Sequence, residues 1–172
     1  MEVKKITFGI LLCLTAFSGM AQKYTVWKIG EADNSGKGMA LFPDQYQKFL
    51  ENDFGYEDRF FALGFHKIEE DWPFIHAGPE NSWGGTSHTA GIRSHNLTVN
   101  FQLPEVKSDE TYKLLLDLLD TDTIAGTKLK VTVNDEKSWK FNVKKGSGKA
   151  LTSGKAAKAQ EQLISIDIKG EN

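Results

Sequence analysis

The sequence predicts an all-β sandwich, and three observations carry that prediction. Apolar residues recur at every second position over many short segments, which is the period of a half-buried strand. Glycine, asparagine and aspartate residues, which favour turns, separate those segments. Only one stretch has the spacing of a helix. Seven short strands with one helical insertion are typical of two sheets packed face to face.

Residues 1–21 have the layout of a secretory signal peptide. They consist of a basic start, an apolar run over residues 6–17 and small residues before a cleavage point. The apolar run is too short to span a bilayer. Cys13, the only cysteine, lies inside this run, so the mature chain contains no disulfide. Packing must then hold the domain together. We expect a secreted or periplasmic protein whose β-sandwich occupies residues 22–172.

The predicted strands follow from the alternation of apolar and polar side chains. The clearest examples are "YKLLLDLLD", "LISIDI" and the hairpin "TKLKVTVNDEKSWKFNV", whose "NDEK" forms the turn. In chain order, strands are predicted at residues 24–29, 59–65, 95–103, 112–120, 127–133, 138–143 and 163–168.

Three other stretches complete the predicted organisation. Residues 43–53 have helical spacing, with Asp44 as a capping residue. Residues 146–160 are small, polar and rich in lysine, which predicts a long flexible loop. The connection through residues 69–88 is unusually long, but it carries Trp72 and Trp83, and such side chains stay ordered only against a surface. We therefore expect this connection to be ordered.

The chain stops on a turn signal, "GEN", directly after the last predicted strand, where a hairpin partner is expected. This pattern predicts that the chain is the N-terminal part of a longer protein, or that the sandwich lacks its last strands.

Composition narrows the classes of function. The formal net charge of −2 argues against nucleic acid or an anionic membrane as the partner. The four histidines show no spacing typical of a zinc site, so no metal ligand is predicted among them. Serine precedes His88 and His95, but neighbouring residues of an extended chain point to opposite sides, which disfavours a catalytic pair.

A carbohydrate-binding surface agrees best with the residue types of the long connection. Tryptophan rings offer flat platforms to the C–H face of a sugar, arginine offers a fixed fork of donors, and histidine both donates and accepts. The alternative is that the tryptophans close one end of the sandwich and the arginine pairs with a nearby carboxylate. The candidate residues are Trp72, His76, Trp83, His88, Arg93 and His95.

The stretch "IGEADNSGKG" at residues 29–38 is a second candidate. Its Glu31, Asp33 and Asn34 offer hard oxygen ligands of the kind that calcium prefers. The spacing is not that of an EF-hand loop, and an ordinary turn accounts for the same residues. No cofactor is otherwise expected.

Several blocks together resemble a known family. "VWKIGEADNSGKG", "FGYEDRFFALG", "WPFIHAGP", "SWGGTSHTAGIRSH" and "YKLLLDLLD" are similar to the galactose-binding-like jelly-roll module of secreted bacterial rhamnogalacturonan lyase-type polysaccharide lyases, over most of residues 24–143. The resemblance implies a jelly-roll β-sandwich, a role in pectin breakdown, a pectic oligo- or polysaccharide as ligand and further domains downstream in the same polypeptide.

Three functions stay open at this point. The chain is a carbohydrate-binding accessory module of a lyase, part of the catalytic lyase unit, or a structural domain that braces its neighbours. Elimination beside a uronate carboxylate needs a base and cationic groups, which His88 or His95 with Arg93 could supply. The resemblance places the lyase chemistry elsewhere in the polypeptide, so no catalytic residue is assigned.

Overall fold

The structure, a computed structural model, describes residues 25–43, 45, 48, 58–76, 94–103, 105–121, 123, 128–157 and 159–170. Among these residues the strands far outnumber the two short helices, which confirms the all-β class. The elements in chain order are β1 Arg59–Ala62, α1 Ile68–Asp71, β2 Leu97–Asn100, β3 Thr111–Leu118, β4 Lys128–Val133, β5 Lys137–Asn142, α2 Ala150–Ser153 and β6 Gln162–Lys169.

The longest pair of strands is β3 with β6, which run antiparallel from Thr111 opposite Lys169 to Leu118 opposite Gln162. The two strands alternate between exposed and less exposed positions along their whole length, as the sequence predicts. The inward set includes Leu114 and Leu116 of β3, and Ile166 of β6 is only 2% exposed. One face of this pair therefore contributes to the apolar interior.

The hairpin of β4 and β5 is confirmed with the predicted turn. Asn134 and Asp135 adopt positive φ angles of 51° and 58° at its tip. Asparagine and aspartate tolerate this conformation better than most residues, and it matches the twist of the flanking strands. Trp139 and Phe141 lie on the less exposed face of β5, and Val143 directly after it is buried.

Strands β1 and β2 form a short parallel pair in which Arg59 lies opposite Leu97. Asp58 fixes the start of the pair, because its carboxylate accepts hydrogen bonds from the backbone N–H of Asn96 (3.0 Å) and from the side-chain amide of Asn96 (2.9 Å). Both strands are shorter than predicted. β1 ends at Ala62, whose carbonyl accepts from the N–H groups of Phe65 and His66 and so turns the chain.

Other predicted elements differ from the structure. Residues 25–29 of the first predicted strand form no strand, and Gly30 directly after them has a φ of 79° that interrupts extended backbone. The predicted helix at 43–53 lies mostly outside the described residues. Helix α1 was not predicted, because its residues were assigned to the long connection.

Residues 146–157 do not form the predicted flexible loop. They contain α2, and their backbone is joined to two distant segments. The Gly36 N–H donates to the Gly154 carbonyl (2.9 Å), the Ala156 N–H donates to the Asn34 carbonyl (2.8 Å), and the Ala157 N–H donates to the Leu119 carbonyl (3.4 Å). The small residues that suggested flexibility instead permit close backbone approach.

Gly154 ends α2 in the left-handed conformation, with φ 62°, and its Cα faces the ring of Phe42. An added Cβ would overlap the Phe42 ring, and the positive φ would strain any other residue. We expect Gly154→Ala to reduce the free energy of unfolding by about 2–3 kcal/mol, measured by urea denaturation.

The matched control is Gly64→Ala. Gly64 also has a positive φ, 85°, but nothing lies within 4 Å of the position of an added Cβ. This variant should show only the backbone cost of about 1 kcal/mol. Equal losses in the two variants would contradict a packing role for Gly154.

The buried apolar residues among those described are few and lie on several elements. Phe61 of β1 is 1% exposed, and the other members of this set are Ala40, Val143, Ala150 and Ile166. No helix in the described ranges is both long and apolar enough to cross a membrane. The jelly-roll order of the strands stays a prediction.

Candidate functional site

Trp72 lies directly after α1 and belongs to a cluster of aromatic rings. Its backbone N–H donates to the Ile68 carbonyl and closes the helix, and the buried Pro73 follows in a β-bridge with Ala40. The Trp72 ring meets the Phe61 ring edge to face, with centroids 5.5 Å apart. β1 therefore provides the support on which Trp72 is held.

His76 belongs to the same cluster of aromatic rings. Its ring lies 4.9 Å from the Trp72 ring, also edge to face. These orientations are favourable for aromatic pairs because the positive edge of one ring meets the negative face of the other. Two of the candidate residues, Trp72 and His76, are thus in direct contact.

The environment of His76 keeps its imidazole neutral at neutral pH. Although part of the residue reaches solvent, the surrounding protein removes water from the ring, and this burial lowers the pKa of His76 from 6.5 to about 4, with a further contribution from the Arg59 cation. A neutral imidazole retains one acceptor nitrogen as well as one donor. His76 can therefore pair with either a hydroxyl donor or an acceptor of a ligand.

A second histidine, His66, belongs to the same group of rings, although it is not among the candidate residues predicted from the sequence. Its Nδ1 accepts a hydrogen bond from the Ala62 N–H (2.9 Å), and its ring lies 5.6 Å from that of Phe61. No spacing pattern in the sequence pairs His66 with another candidate residue. Its position becomes visible only once the turn after β1 is known.

Of the other candidate residues, His95 is the one that belongs to the described part of the chain. His95 is partly buried and lies just before β2, one residue ahead of the Asn96 that pairs with Asp58. Arg59, which influences His76, also begins the β1–β2 pair, so His95 lies near the same end of that pair. Trp83, His88 and Arg93 lie outside the described residues, as does most of the connection predicted to be ordered.

The packing of Trp72 bears on the alternative interpretation that the tryptophans close the sandwich. Trp72 is neither fully buried nor exposed, with one edge against Phe61 and another against His76. Such a ring contributes to packing and still presents surface. The two roles are therefore compatible in this residue.

The second candidate, residues 29–38, forms a turn. Asn34 has a φ of 58°, and the Glu31 carboxylate pairs with the Lys28 ammonium at 2.5 Å. Among the residues described here, no group of three or more histidine, cysteine, aspartate or glutamate side chains is placed to hold a metal ion. The geometry agrees with an ordinary turn, and a calcium ion at this position stays a prediction.

This turn borders a shallow cleft of about 200 Å³ whose other wall is α1. Ile68 and Glu69 provide that wall, facing Lys28, Glu31 and Lys37. The cleft could not be predicted from the sequence, because no helical pattern marks the residues of α1. Its small size and its internal ion pair make it a surface recess beside the site, not a replacement for the aromatic cluster.

Comparison with known proteins gives the family of this chain. A family model described as "CBM-like: Polysaccharide lyase family 4, domain III" matches residues 25–172. No curated protein and no solved structure matches the chain. The match covers nearly the whole chain, agrees with the strand-rich structure and confirms the β-sandwich class. The chain therefore belongs to the CBM-like domain III of polysaccharide lyase family 4, the accessory carbohydrate-binding module of rhamnogalacturonan lyase-type enzymes.

Proposed function

We propose that this module binds pectic polysaccharide at the surface around Trp72 and His76, and that residues 77–93 add Trp83, His88 and Arg93 to that surface. The module serves an exported lyase whose catalytic residues lie in other domains of the same polypeptide. Membership in the CBM-like family is the observation that carries this proposal.

The geometry of the aromatic cluster supports the position of the site. A sugar ring needs a rigid apolar platform, because ordering a mobile side chain would subtract from a modest affinity. Contacts with Phe61 on one side and His76 on the other restrain Trp72. The neutral His76 then offers a hydrogen-bonding edge beside the platform.

Export of the module is supported by the sequence of residues 1–21. The basic start, apolar run and small residues are those of a cleavable signal, and the mature chain contains no cysteine. Determination of the N-terminal residue of the protein recovered from culture medium or periplasm would test this part. An N-terminus near residue 22 is the expected result.

The binding proposal predicts that Trp72→Ala weakens the binding of rhamnogalacturonan I oligosaccharides roughly tenfold or more, because large aromatic anchors dominate binding energies. Isothermal titration calorimetry on the whole chain measures this effect. Trp83→Ala should reduce affinity as well and tests the contribution of the connection.

The matched control is Trp27→Ala. Trp27 is also a partly buried tryptophan in an aromatic pair, with its ring 4.9 Å from that of Phe101, but it lies outside the Trp72 cluster. Its loss should lower stability and leave affinity unchanged at a temperature where the variant is folded. Equal affinity of Trp72→Ala and the parent chain would contradict the proposal.

A further inference from the structure

The outward face of the β4–β5 hairpin carries three exposed lysines, Lys128 and Lys130 on β4 and Lys140 on β5. Lys130 lies directly opposite Lys140 in the strand register. The other exposed positions of this face carry only hydroxyl and amide side chains, Thr132, Ser138 and Asn142. We call these six residues the lysine face.

No hydrogen bond or ion pair joins the three ammonium groups to other residues within the described part of the chain. The nearest carboxylates along the hairpin, Asp135 and Glu136, belong to the turn at its tip and lie beyond the Thr132–Ser138 pair. The lysine face is therefore locally cationic, although the chain as a whole has a formal net charge of −2.

The corresponding face of the β3–β6 pair shows how this protein otherwise arranges exposed charges. Lys113 of β3 lies opposite Asp167 of β6 and donates to its carboxylate at 2.6 Å. Lys169 and Asp117 lie on the same face, so the two signs balance there. The β4–β5 hairpin thus carries an excess of positive charge that the β3–β6 pair does not share.

Stability does not account for the lysine face. Like charges directly opposite each other on neighbouring strands destabilise a sheet. The threonine, serine and asparagine beside them add hydrogen-bonding groups at the same surface. A cationic surface with hydroxyl and amide neighbours has the chemistry to bind a polymer that carries both carboxylates and hydroxyls.

We propose that the lysine face is a second binding surface for the uronate-bearing stretches of the polysaccharide, separate from the surface around Trp72. A polysaccharide lyase acts by elimination beside a carboxylate, so the polymer on which it acts carries uronate groups. The positive charge of the lysine face attracts those carboxylates. The spacing of residues on the two strands allows the three ammonium groups to meet successive parts of one extended polysaccharide. The inference rests on the proposed function and names the charged part of its ligand.

The test compares K128Q/K130Q/K140Q with the parent chain for binding to polygalacturonate and to uncharged galactan, by affinity electrophoresis at two salt concentrations. We expect affinity for polygalacturonate to fall roughly tenfold in the variant and its salt dependence to become weaker, since each exposed charge contributes modestly. Binding to galactan should stay unchanged. The triple lysine-to-arginine variant should retain binding to polygalacturonate.

The matched control is K113Q/K155Q/K169Q, which removes the same charge from exposed lysines outside the lysine face. It should bind polygalacturonate like the parent chain. Thermal unfolding guards against misfolding, since removing the Lys130–Lys140 repulsion should leave the melting temperature unchanged or higher. Equal losses in the two glutamine variants, or no loss in either, would overturn the inference.

Two further probes distinguish the class of polyanion. Duplex DNA and vesicles of phosphatidylserine and phosphatidylcholine should bind more weakly than polygalacturonate at equal charge concentration. Equal or stronger binding of either would refute a uronate surface. Failure of the proposed function gives a different pattern, because Trp72→Ala would then retain full affinity for rhamnogalacturonan I while the effect of the lysine variant on polygalacturonate persists.

Discussion

Asp120→Ala is expected to lower the free energy of unfolding by about 3 kcal/mol, because one carboxylate organises the whole segment that leads into α2. The Asp120 carboxylate accepts from the backbone N–H of Ser147 (2.8 Å), the Ser147 hydroxyl (2.8 Å) and the Ala150 N–H (3.1 Å). It also accepts from the Thr121 N–H at 2.9 Å. Ala150 is the first residue of α2, so Asp120 caps that helix from a distant part of the chain.

The charge state of Asp120 agrees with this role. Partial burial raises the pKa of Asp120, but the hydrogen bonds from Ser147, Ala150 and Thr121 outweigh it and hold the pKa below its usual range. A lowered folded-state pKa means that the contribution is complete above the unfolded pKa and is lost as the pH falls through the folded one. The free energy of unfolding of the parent chain should therefore fall as the pH drops below the ordinary pKa of an aspartate side chain.

Urea denaturation measures both effects. Asp120→Asn keeps one acceptor oxygen but directs an amide toward N–H groups, so its loss should lie between those of the parent chain and Asp120→Ala. Asp109→Ala is the control, because Asp109 is an exposed aspartate in the turn before β3. A stability loss for Asp120→Ala no greater than that of Asp109→Ala would refute the capping role.

His76 should make the protein less stable between about pH 6.5 and pH 4. The folded-state pKa of His76, about 4, lies below the ordinary value of 6.5, so the unfolded chain binds a proton in this interval that the folded chain does not. The contribution of the neutral His76 to stability is fully present above about pH 6.5 and is lost as the pH falls toward 4. The total loss is about 3 kcal/mol for a difference in pKa of this size.

The variant His76→Phe checks this expectation. Phenylalanine keeps an aromatic ring against Trp72 but binds no proton, so the free energy of unfolding should change less between pH 7 and pH 4 than in the parent chain. His95→Phe provides a comparison from the other described candidate histidine. An identical pH profile for His76→Phe and the parent chain would show that His76 is protonated equally in the folded and unfolded states.

Sequence reasoning identified the strands whose alternation is long and regular. Leu114 to Leu118 and Ile164 to Ile168 keep the period of two over complete strands, and the Asn134–Asp135 turn favours a hairpin by local chemistry. These features are local, so a single sequence contains them. The class of protein followed from blocks of sequence that a family model independently matches.

The elements that sequence reasoning missed depend on distant contacts. Residues 146–157 have the composition of a flexible loop, but hydrogen bonds to distant residues, among them Asp120, Asn34 and Gly36, hold them in place. Alternation of apolar residues over 95–103 favours an inward Leu97, yet Leu97 is 44% exposed where β1 and β2 form a two-stranded pair. At the candidate site, the Trp72–His76 contact depends on the path of the backbone after α1, which no spacing pattern in the sequence predicts.

The backbone bridge between Ser35 and Lys155 has a consequence for how the protein reaches its native state. It joins segments from nearly opposite ends of the described chain, so a large loop must close before this bridge can form. Closing such a loop costs chain entropy before the native contacts that compensate for it have formed. Folding is therefore slow in proteins dominated by non-local contacts. The β4–β5 hairpin needs only its own turn, and we expect it to form first, with the Ser35–Lys155 junction as a late step on the folding route.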